Sequence, residues 1–469
     1  MAVGISAHGI YIPRCRIGRD ILAKEWGIPS MGGERAVTNY DEDSLTMAVE
    51  ASLNCIANKD PRKIEGLYFA STNPPYREKQ VATTVASAVD LSKEIRTADF
   101  SDSLRAGTSA LLAALDAVRA GTAKKLLVVA ADCRMGEPDS PTEQMVGDGA
   151  GAVLLDTEDV IAEILDSYSL ADEFLGTWRL DNRQFIQSFP GSFELKYGYT
   201  RVMGEVLKKA FAKFGLKPQD IAKAVIYSPN PRGLAGIAGK AGFDPKSQIQ
   251  DSFWLQLGDT GTAAPLIMLS AALEGAKPGD KILLVSYGDG SDAFLLQATA
   301  AIEKFKVKKG INGQITNKLS ISSYGKYTRF RNLAIKETPS EPSVTSPVVF
   351  FRDEKQLLPL YGERCNKCST LQYPRDRVCV ECGSKDNFTD IKLARDGKVF
   401  TFTHDYLAIC PDPPYTQAVI DLSGNCRIYL SMTDCNPDAV AIDMPVELTF
   451  RKIHDSYGFH NYFWKARPI

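Results

Sequence analysis

Four cysteines near the C-terminus have the type and spacing of metal ligands. Cys365 and Cys368 are separated by two residues, as are Cys379 and Cys382, and ten residues separate the pairs. Each C-x-x-C turn points two thiolates at one ion, and two such turns supply the tetrahedral S₄ coordination that zinc prefers. Redox-active dithiols and an iron–sulfur centre are the alternatives. Because a site closed by four thiolates has no open position for water, we expect a structural Zn²⁺ that supports folding.

The turn FSDSLRAGTSA at residues 100–110 is the second place where chemistry is expected. Acyl-transferring enzymes often hold a nucleophilic cysteine in such a turn, but here Ser103 and Leu104 occupy it. A serine needs a base within hydrogen-bond reach, and the first 400 residues contain one histidine, His8. Ser103 is therefore either a catalytic residue or a polar residue that caps the helix start. Cys133, after the apolar run LLVVAAD, is another candidate nucleophile, without a histidine partner.

The elements that position these residues form a repeat. The segment PRKIEGLYFASTNPP at 61–75 matches PQDIAKAVIYSPNPR at 218–232, at an offset of 157 residues. Gly107-Thr108 and Gly261-Thr262 each open an Ala/Leu-rich helix, at an offset of 154. Each half alternates apolar strands with helices, which is typical of largely parallel sheets covered by helices. The sequence therefore predicts a duplicated α/β unit.

Four motifs, in order over residues 1–305, resemble those of the thiolase superfamily, and within it those of hydroxymethylglutaryl-CoA synthase and ketoacyl synthase III. They are GIYIPRCRI near the start, VGDGAGAVLL at 146–155, LGDTGTAAP at 257–265 and YGDGSDAF at 287–294. The resemblance implies a duplicated, thiolase-like five-layer α/β fold. It also implies an acyl-CoA substrate and a homodimer. We expect its two halves at residues 1–165 and 166–305.

The catalytic residues implied by the resemblance are replaced in this chain. The family takes an acyl group from acyl-CoA on a cysteine, and a histidine and a glutamate transfer protons. Leu104 stands at the cysteine position, Tyr227 at the histidine position, and Thr72 near the glutamate position. Acyl-enzyme chemistry is therefore not expected. Because a phenol can transfer a proton, Tyr227 is the candidate catalytic residue, with Ser103 as a second.

The resemblance also places the glycine-rich turns beside the active site. Glycine lets backbone N–H groups approach a ligand closely, and such groups can hold the carbonyl oxygen of a thioester. Ordinary strand-to-loop turns are the alternative interpretation. The candidate substrate-binding residues are Asn230, Gly258, Gly261, Gly288, Gly290 and Ser291.

The C-terminal part, residues 357–469, resembles a zinc-ribbon/OB-fold family found with acyl-CoA thiolases and hydroxymethylglutaryl-CoA synthases. Besides the four cysteines, the motifs are PPYTQAVIDL and the closing YFWKARPI. We expect a linker with one helix at 306–356, the zinc ribbon at 357–390 and a small OB-fold β-barrel at 391–469. In its relatives this module docks acyl-CoA or a partner protein.

Composition narrows the classes of function. The 469 residues include 55 Lys+Arg and 57 Asp+Glu, for a formal net charge of −2, which argues against a nucleic-acid partner. No apolar run reaches the roughly 18 residues of a membrane span, and the N-terminus lacks a signal-like segment. We therefore expect a cytoplasmic protein with no membrane partner.

Three functions remain open. The first is an enzyme that makes or breaks a carbon–carbon bond of a CoA thioester by aldol or retro-aldol chemistry, without an acyl-enzyme. The second is a non-catalytic CoA-binding or docking subunit for a separate thiolase. The third is an acyltransferase or synthase in which Ser103 or Cys133 carries the acyl group.

Overall fold

The computed structural model describes residues 2–334, 345–456 and 458–469. By internal contacts the chain divides into two units. The first unit comprises Met1–Thr38, Asp43–Ala86 and Leu91–Tyr324. The second unit comprises Asn39–Glu42, Ser87–Asp90 and Gly325–Ile469. Short N-terminal segments thus belong to the same unit as the C-terminal module.

The first unit alternates strands and helices along most of its length. Its strands are β1 (Gly4–Tyr11), β2 (Cys15–Gly18), β3 (Glu34–Ala36), β4 (Gly66–Ala70), β5 (Arg96–Phe100), β6 (Leu126–Cys133), β7 (Asp148–Asp156), β8 (Ala162–Ala171), β9 (Thr177–Trp178), β10 (Gln187–Ser188), β11 (Lys223–Ile226), β12 (Lys281–Val285), β13 (Gly290–Ala298) and β14 (Leu319–Ser320). Its helices are α1 (Arg19–Trp26), α2 (Ser44–Cys55), α3 (Val81–Ala88), α4 (Ala106–Arg119), α5 (Pro141–Met145), α6 (Gly191–Phe193), α7 (Thr200–Phe214), α8 (Pro231–Ala241), α9 (Trp254–Leu257), α10 (Ala264–Glu274) and α11 (Ile311–Thr316). A π-helical turn, Glu194–Tyr199, joins α6 to α7.

The strand order confirms the duplication expected from the sequence. The largest sheet within the described residues has nine strands in the order β11-β12-β13-β8-β1-β7-β6-β4-β5. In the first half β1 is antiparallel to β7, β7 is antiparallel to β6, and β4 and β5 continue parallel to β6. In the second half β8, β13, β12 and β11 repeat this pattern. An isolated parallel bridge between Ala224 and Ile249 stands where the first half has β5.

Helices cover the sheet in layers, which gives the thiolase-like arrangement. Helix α2 packs on β1, β6 and β7, and α7 packs on β8, β13 and α8. Between the two halves lie α4 and α10, whose apolar residues form one core with both sets of strands. At their starts Gly107 lies so close to the second Gly-Thr turn that a Cβ would stand 2.7 Å from the Thr262 carbonyl oxygen. A side chain at Gly107 would therefore separate the two central helices.

The second unit holds two small β modules. Its helices are α12 (Tyr324–Phe330) and α13 (Pro347–Leu357), and its strands are β15 (Tyr361–Cys365), β16 (Leu371–Gln372), β17 (Phe388–Lys392), β18 (Asp396–Asp405), β19 (Tyr415–Leu422), β20 (Cys426–Ser431), β21 (Pro445–Ser456) and β22 (Phe459–Pro468). Strands β16-β15-β17 form the zinc ribbon, and β20-β19-β18-β21-β22 form the OB-fold sheet. A parallel bridge between Met432 and Ala466 nearly closes that sheet into a barrel.

The predicted linker contains more regular structure than the sequence indicated. Helix α12 provides the one helix expected in this segment, but α11, β14 and most of α13 also fall within 306–356. Ser346 caps α13 by accepting a hydrogen bond from Val349 N (3.4 Å), and Pro347 occupies the first turn, where proline is tolerated. Residues 335–344 of the predicted linker lie outside the described residues.

Buried charges tie the N-terminal segment of the second unit to its last strands. The guanidinium of Arg451, fully buried on β21, lies 2.6 Å from Asp434, 3.0 Å from Glu42 and 3.4 Å from Asp41. Lys465 on β22 contacts Asp41 at 2.8 Å. Charges this deeply buried need such partners, because removal from water is costly.

Membrane insertion has no support among the helices. In the part of the chain that the structure describes, no helix combines the length and the apolar character needed to cross a bilayer.

Candidate functional site

The four cysteines of the zinc ribbon converge in two matching turns. In the first turn Ser369 N donates to Cys365 O and Cys365 N donates to Thr370 O, both at 2.9 Å. In the second turn Gly383 N donates to Cys379 O and Cys379 N to Ser384 O, at 3.0 and 2.9 Å. Ser369 and Gly383, each directly after the second cysteine of its turn, both have positive φ, which lets the chain fold back after the two ligands. The two turns therefore present their thiols in the same way.

The thiol positions fit a zinc ion. All four sulfur atoms lie within 4.8 Å of one another, with Cys365 and Cys382 at 3.7 Å and Cys368 and Cys379 at 3.5 Å. Zinc–sulfur bonds of about 2.3 Å place tetrahedral ligands roughly 3.8 Å apart. A disulfide needs about 2.05 Å between sulfurs. The cluster is therefore built for an S₄ metal site, as the sequence predicted.

A buried group of charged and phenolic side chains lies at the ends of β6 and β11. Tyr227 follows β11, and its hydroxyl donates a hydrogen bond of 2.9 Å to Asp259 Oδ1. Arg134, just beyond β6, forms an ion pair with Asp259 Oδ2. Tyr227 is 1% exposed, and the side chains of Asp259 and Arg134 are each 4% exposed. The three residues form one connected buried group at the position where the resemblance predicts a histidine.

Asp132 holds the turns around this group in place. Its Oδ1 accepts hydrogen bonds from Thr72 N (2.7 Å) and the Ser71 hydroxyl (3.0 Å), and its Oδ2 accepts one from Thr262 N (2.8 Å). Gly261, with φ near +58°, leaves room for this carboxylate, because a Cβ would overlap it. Asp132 therefore joins the end of β4 to the start of the second central helix.

Electrostatics keep the phenol of Tyr227 protonated. Burial, together with the negative charge of Asp259, raises the pKa of Tyr227 well above its usual range. The positive charge of Arg134 acts in the opposite direction. Burial also raises the pKa of Asp132, and Arg134 opposes that change. At neutral pH the site therefore contains a phenol proton next to a buried Arg–Asp pair.

The residue at the nucleophile position of the family is a buried leucine. Leu104 lies against the glycine-rich turn at residues 287–290, where a Cβ on Gly288 would stand 2.9 Å from Leu104 Cβ. The neighbouring Ser103 hydroxyl accepts a hydrogen bond of 3.4 Å from Arg105 N, beside the start of α4. Within the described residues the Ser103 hydroxyl is hydrogen-bonded to Arg105 N and not to Tyr227.

The other sequence-predicted residues make local contacts. Asn230 caps α8 through a hydrogen bond from Arg232 N (2.9 Å). The N–H groups of Gly258, Gly261 and Gly288 donate to Trp254 O, Asp259 Oδ1 and Gly290 O, each at 3.0 Å. The Ser291 hydroxyl donates to Ser286 O, and Gly290 packs on Leu170 O of β8, where no Cβ fits. These local hydrogen bonds and packing contacts fix the conformation of the turns.

Cys133, the other candidate nucleophile, is the last residue of β6. Its sulfur is 3.2 Å from the Thr38 hydroxyl oxygen. His8 is buried on β1 against Phe305, with ring centroids 5.0 Å apart. The chain's other three histidines, His404, His454 and His460, belong to the second unit.

The charged partners of Tyr227 were missed from the sequence. Asp132 and Arg134 follow directly after the continuous apolar run of β6, where a buried charge is unexpected. Asp259 lies inside the motif LGDTGTAAP, which was interpreted through its glycines. A signal was therefore present in both segments, but the sequence did not show that they meet.

Comparison with known families matches four consecutive parts of the chain. The 3-oxoacyl-[acyl-carrier-protein] synthase III family matches residues 98–172, and its C-terminal domain matches 211–297. The rubredoxin-like zinc ribbon domain of ChsH2 matches 359–388, and the ChsH2 C-terminal OB-fold domain matches 390–451. The zinc ribbon and OB-fold expected from the sequence are thereby confirmed.

Among curated proteins, the hydroxymethylglutaryl-CoA synthase of Methanopyrus kandleri is 32% identical over 341 residues, which is 70% of this chain and 97% of that protein. The chain belongs to the hydroxymethylglutaryl-CoA synthase family. The synthase of Pyrococcus furiosus is also 32% identical, over 64% of this chain and 88% of its own length. That Leu104 and Tyr227 occupy the positions of the family's cysteine and histidine stays a prediction.

Solved structures confirm the thiolase-like fold of the family. An HMG-CoA synthase complexed with CoA aligns with a TM-score of 0.66 at 18% identity, over 74% of this chain and 94% of that one. A 3-oxoacyl-[acyl-carrier-protein] synthase III from Aquifex aeolicus aligns with a TM-score of 0.56 at 25% identity, over 63% and 99%.

Proposed function

We propose that this protein forms or breaks a carbon–carbon bond of a CoA thioester by aldol-type chemistry, without an acyl-enzyme. The observation that carries the proposal is the group Tyr227–Asp259–Arg134 at the family's proton-transfer position. Family membership makes acyl-CoA the substrate class. Leu104 supplies no nucleophile, so the acyl group stays on CoA throughout.

The chemistry follows from where protons must move. When an acyl-CoA enolate attacks a carbonyl carbon, the carbonyl oxygen becomes an alkoxide and takes the phenol proton of Tyr227. The positive charge of Arg134 then stabilises the phenolate, because opposite charges interact strongly away from water. In the cleavage direction Tyr227 passes its phenol proton to Asp259 Oδ1, to which it is hydrogen-bonded, and its oxygen takes the proton of the β-hydroxyl group. Because Tyr227 is buried, the residues that cover it must move before a substrate reaches it.

A non-catalytic docking subunit is the second candidate. The loop after β18 contributes three of the strongly exposed apolar residues of the second unit: Tyr406 at 70%, Leu407 at 93% and Ile409 at 76%. Exposed apolar residues of this kind favour contact with another protein. The homodimer and a separate thiolase partner stay predictions. A synthase with Ser103 or Cys133 as nucleophile lacks a neighbouring histidine base.

The test is a cleavage assay with a panel of β-hydroxyacyl-CoA thioesters. Chromatography measures release of the shortened acyl-CoA, and mass spectrometry of the intact protein measures covalent acylation. We expect cleavage by the wild-type protein and a 10²- to 10⁴-fold slower reaction for Tyr227→Phe, the usual range for loss of one proton-transfer group. Tyr197→Phe, at a 47% exposed tyrosine, is the matched control.

Two results would contradict this proposal in different ways. Acylation at Ser103 or Cys133 would establish the synthase with a displaced nucleophile. No cleavage of any thioester, with CoA binding intact by calorimetry, would favour the docking subunit. Equal rates for Tyr227→Phe and wild type would remove Tyr227 from the mechanism.

A further inference from the structure

Residues 172–199, here called the cover segment, are hydrogen-bonded to four of the turns around the candidate site. Arg179 donates to Thr72 O beyond β4 (2.9 Å), and Ile186 N donates to Met135 O beside Arg134 (3.0 Å). The hydroxyl of Tyr199 donates to Tyr227 O (3.2 Å). Asp172 N donates to Asp289 O in the glycine-rich turn (3.3 Å). The cover segment therefore lies over the ends of β4, β6 and β11.

The cover segment contains the acidic residue Glu194. It is the first residue of the π-helical turn, a rare geometry that is frequent at functional sites. The position that a Cβ of Gly176 would occupy lies 3.2 Å from Glu194 Oε1 and 3.6 Å from the Tyr287 hydroxyl. Glu194 therefore extends toward the interior side of the segment, where Gly176 leaves space for it.

Aromatic contacts fix the backbone on both sides of Glu194. The preceding Phe193 stacks on Phe174 with ring centroids 5.9 Å apart and contacts Tyr197 at 5.0 Å. Farther along, Tyr199 packs edge-on against Tyr287 at 5.1 Å. Ring pairs at these distances stabilise one arrangement over others. The carboxylate is thus carried by a well-packed turn.

The Glu194 carboxylate lacks a compensating partner for its half-buried position. Among the described residues its hydrogen bond is a long one, from the Thr177 hydroxyl at 3.4 Å, and no Lys or Arg nitrogen lies within 4.0 Å. Burial raises the pKa of Glu194, while the charge of Arg134 lowers it and that of Asp259 adds to the increase. A half-buried carboxylate with one long hydrogen bond adds little to stability, and its raised pKa suits a group that accepts a proton.

We infer that Glu194 is the general base that removes the α-proton of the bound acyl-CoA. This inference rests on the proposed function and names the second proton-transfer group that the reaction needs. The glutamate of the family would come from the end of β4, where Thr72 stands. Here the carboxylate comes from the cover segment, which is hydrogen-bonded to that same Thr72.

The step balances without any further reactant. The α-carbon–hydrogen bond breaks, its proton forms an O–H bond with the Glu194 carboxylate, and the electron pair enters the thioester as an enolate. In synthesis the enolate then attacks the carbonyl carbon, and Tyr227 protonates the new alkoxide. Without an acceptor, Glu194 returns a proton to the α-carbon, so in D₂O the α-position gains deuterium.

The experiment measures this exchange. Acetyl-CoA and propionyl-CoA are incubated in D₂O with wild type, Glu194→Gln, Glu194→Asp and Glu173→Gln, and mass spectrometry follows deuterium at the α-carbon. We expect Glu194→Gln to exchange at least 100-fold more slowly. Partial rescue is expected for Glu194→Asp. The control Glu173→Gln, at an exposed glutamate of the same segment, should match wild type.

Calorimetry with acetyl-CoA and urea unfolding accompany the exchange, so that misfolding is recognised. Unchanged affinity and unchanged or higher stability of Glu194→Gln are expected with the loss of exchange. Exchange by Glu194→Gln at the wild-type rate would overturn the assignment. So would a wild-type protein that cleaves β-hydroxyacyl-CoA but exchanges nothing, which would leave the proposed function standing. Absence of both cleavage and exchange would overturn both.

Discussion

At the three positions predicted to match the family's catalytic residues, this chain has Leu104, Tyr227 and Thr72, and all three belong to one predicted site. Replacing the cysteine by Leu104 removes the nucleophile, and replacing the histidine by Tyr227 keeps a group that can hold a proton. Arg134 and Asp259 supply the charges that act on that phenol. A site that had merely lost function would not need a buried ion pair joined to the new tyrosine, because such pairs seldom add stability over apolar residues. The residues therefore argue for altered chemistry.

His8 provides a prediction on stability and pH. Burial lowers the pKa of His8 to about 4, and the ring Nδ1 has no hydrogen-bond partner. The unfolded chain binds this proton near pH 6.5 and the folded chain does not, so stability is complete above pH 6.5 and falls as the pH drops toward 4. Between pH 7.5 and 5.0 we expect the wild type to lose about 2 kcal/mol more than His8→Met.

The measurement is urea unfolding of the first unit at both pH values. Ile10→Val, a buried substitution on the same strand, is the control, and its cost should be equal at both pH values. If the wild type and His8→Met lost the same free energy, His8 would be protonated in the folded protein or accessible to water.

The sequence predicted those residues of the candidate sites that lie in local motifs. Tyr227 precedes a Pro-Asn turn, and the four cysteines repeat at a short spacing. Asp259 meets Arg134 from 125 positions away, and Glu194 belongs to a segment without periodic pattern. Pairings over such distances depend on tertiary folding, and neither local propensity nor spacing reports them.

Among the structural elements, the two cysteine turns of the zinc ribbon have the conformation that the sequence specifies most clearly. Each is closed by the same pair of backbone hydrogen bonds, and each uses a residue with positive φ after its second cysteine. The ribbon strands are short, with only β16, β15 and β17 in the sheet. A module of this size needs a metal ion or another cross-link for stability, because its hydrophobic core is small.

Removal of one cysteine should therefore release the metal and unfold the ribbon. We expect Cys379→Ala to lose the one zinc per chain that the wild type holds, and to show a lower unfolding temperature for the second unit. Elemental analysis and thermal unfolding measure both. Cys426→Ala, at a buried cysteine on β20 outside the cluster, should keep its zinc. Iron in place of zinc would support the iron–sulfur alternative.

The internal repeat predicted the fold of the first unit better than the pattern of any single helix or strand did. The offset of 157 residues correctly paired β4 with β11, and the Gly-Thr offset paired the starts of the two central helices. The missed parts are short and irregular: α11, β14 and most of α13 lie in a segment without apolar periodicity. Such elements are stabilised by contacts with the rest of their unit, which the local sequence does not record.

At the scale of the whole molecule, the second unit is assembled from three separate stretches of chain. Asp41 and Glu42 come from the N-terminal region, yet they neutralise Arg451 and Lys465 on the last two strands. Asp90 joins the same unit through a hydrogen bond from the Tyr361 hydroxyl (3.0 Å). The unit is therefore not contained in its C-terminal stretch alone.

Loss of the central cation should destabilise this unit strongly. Arg451→Met leaves three buried carboxylates short of one positive charge, and breaking a buried pair in this way costs about 3–5 kcal/mol. Arg377→Gln, which removes the ion pair of an 84% exposed arginine with Asp386, should leave the stability nearly unchanged. Urea unfolding of the second unit distinguishes the two. Similar small losses would mean that water reaches the Arg451 cluster.

The shared carboxylates also set an order of events during biosynthesis. Asp41 and Glu42 leave the ribosome some four hundred residues before Arg451 and Lys465 are translated. The barrel cannot complete its ionic core until the final strands emerge and meet a segment made at the beginning. A C-terminal polypeptide that began near residue 325 would lack its two acidic partners, so we expect it to be less stable than the same unit in the full chain.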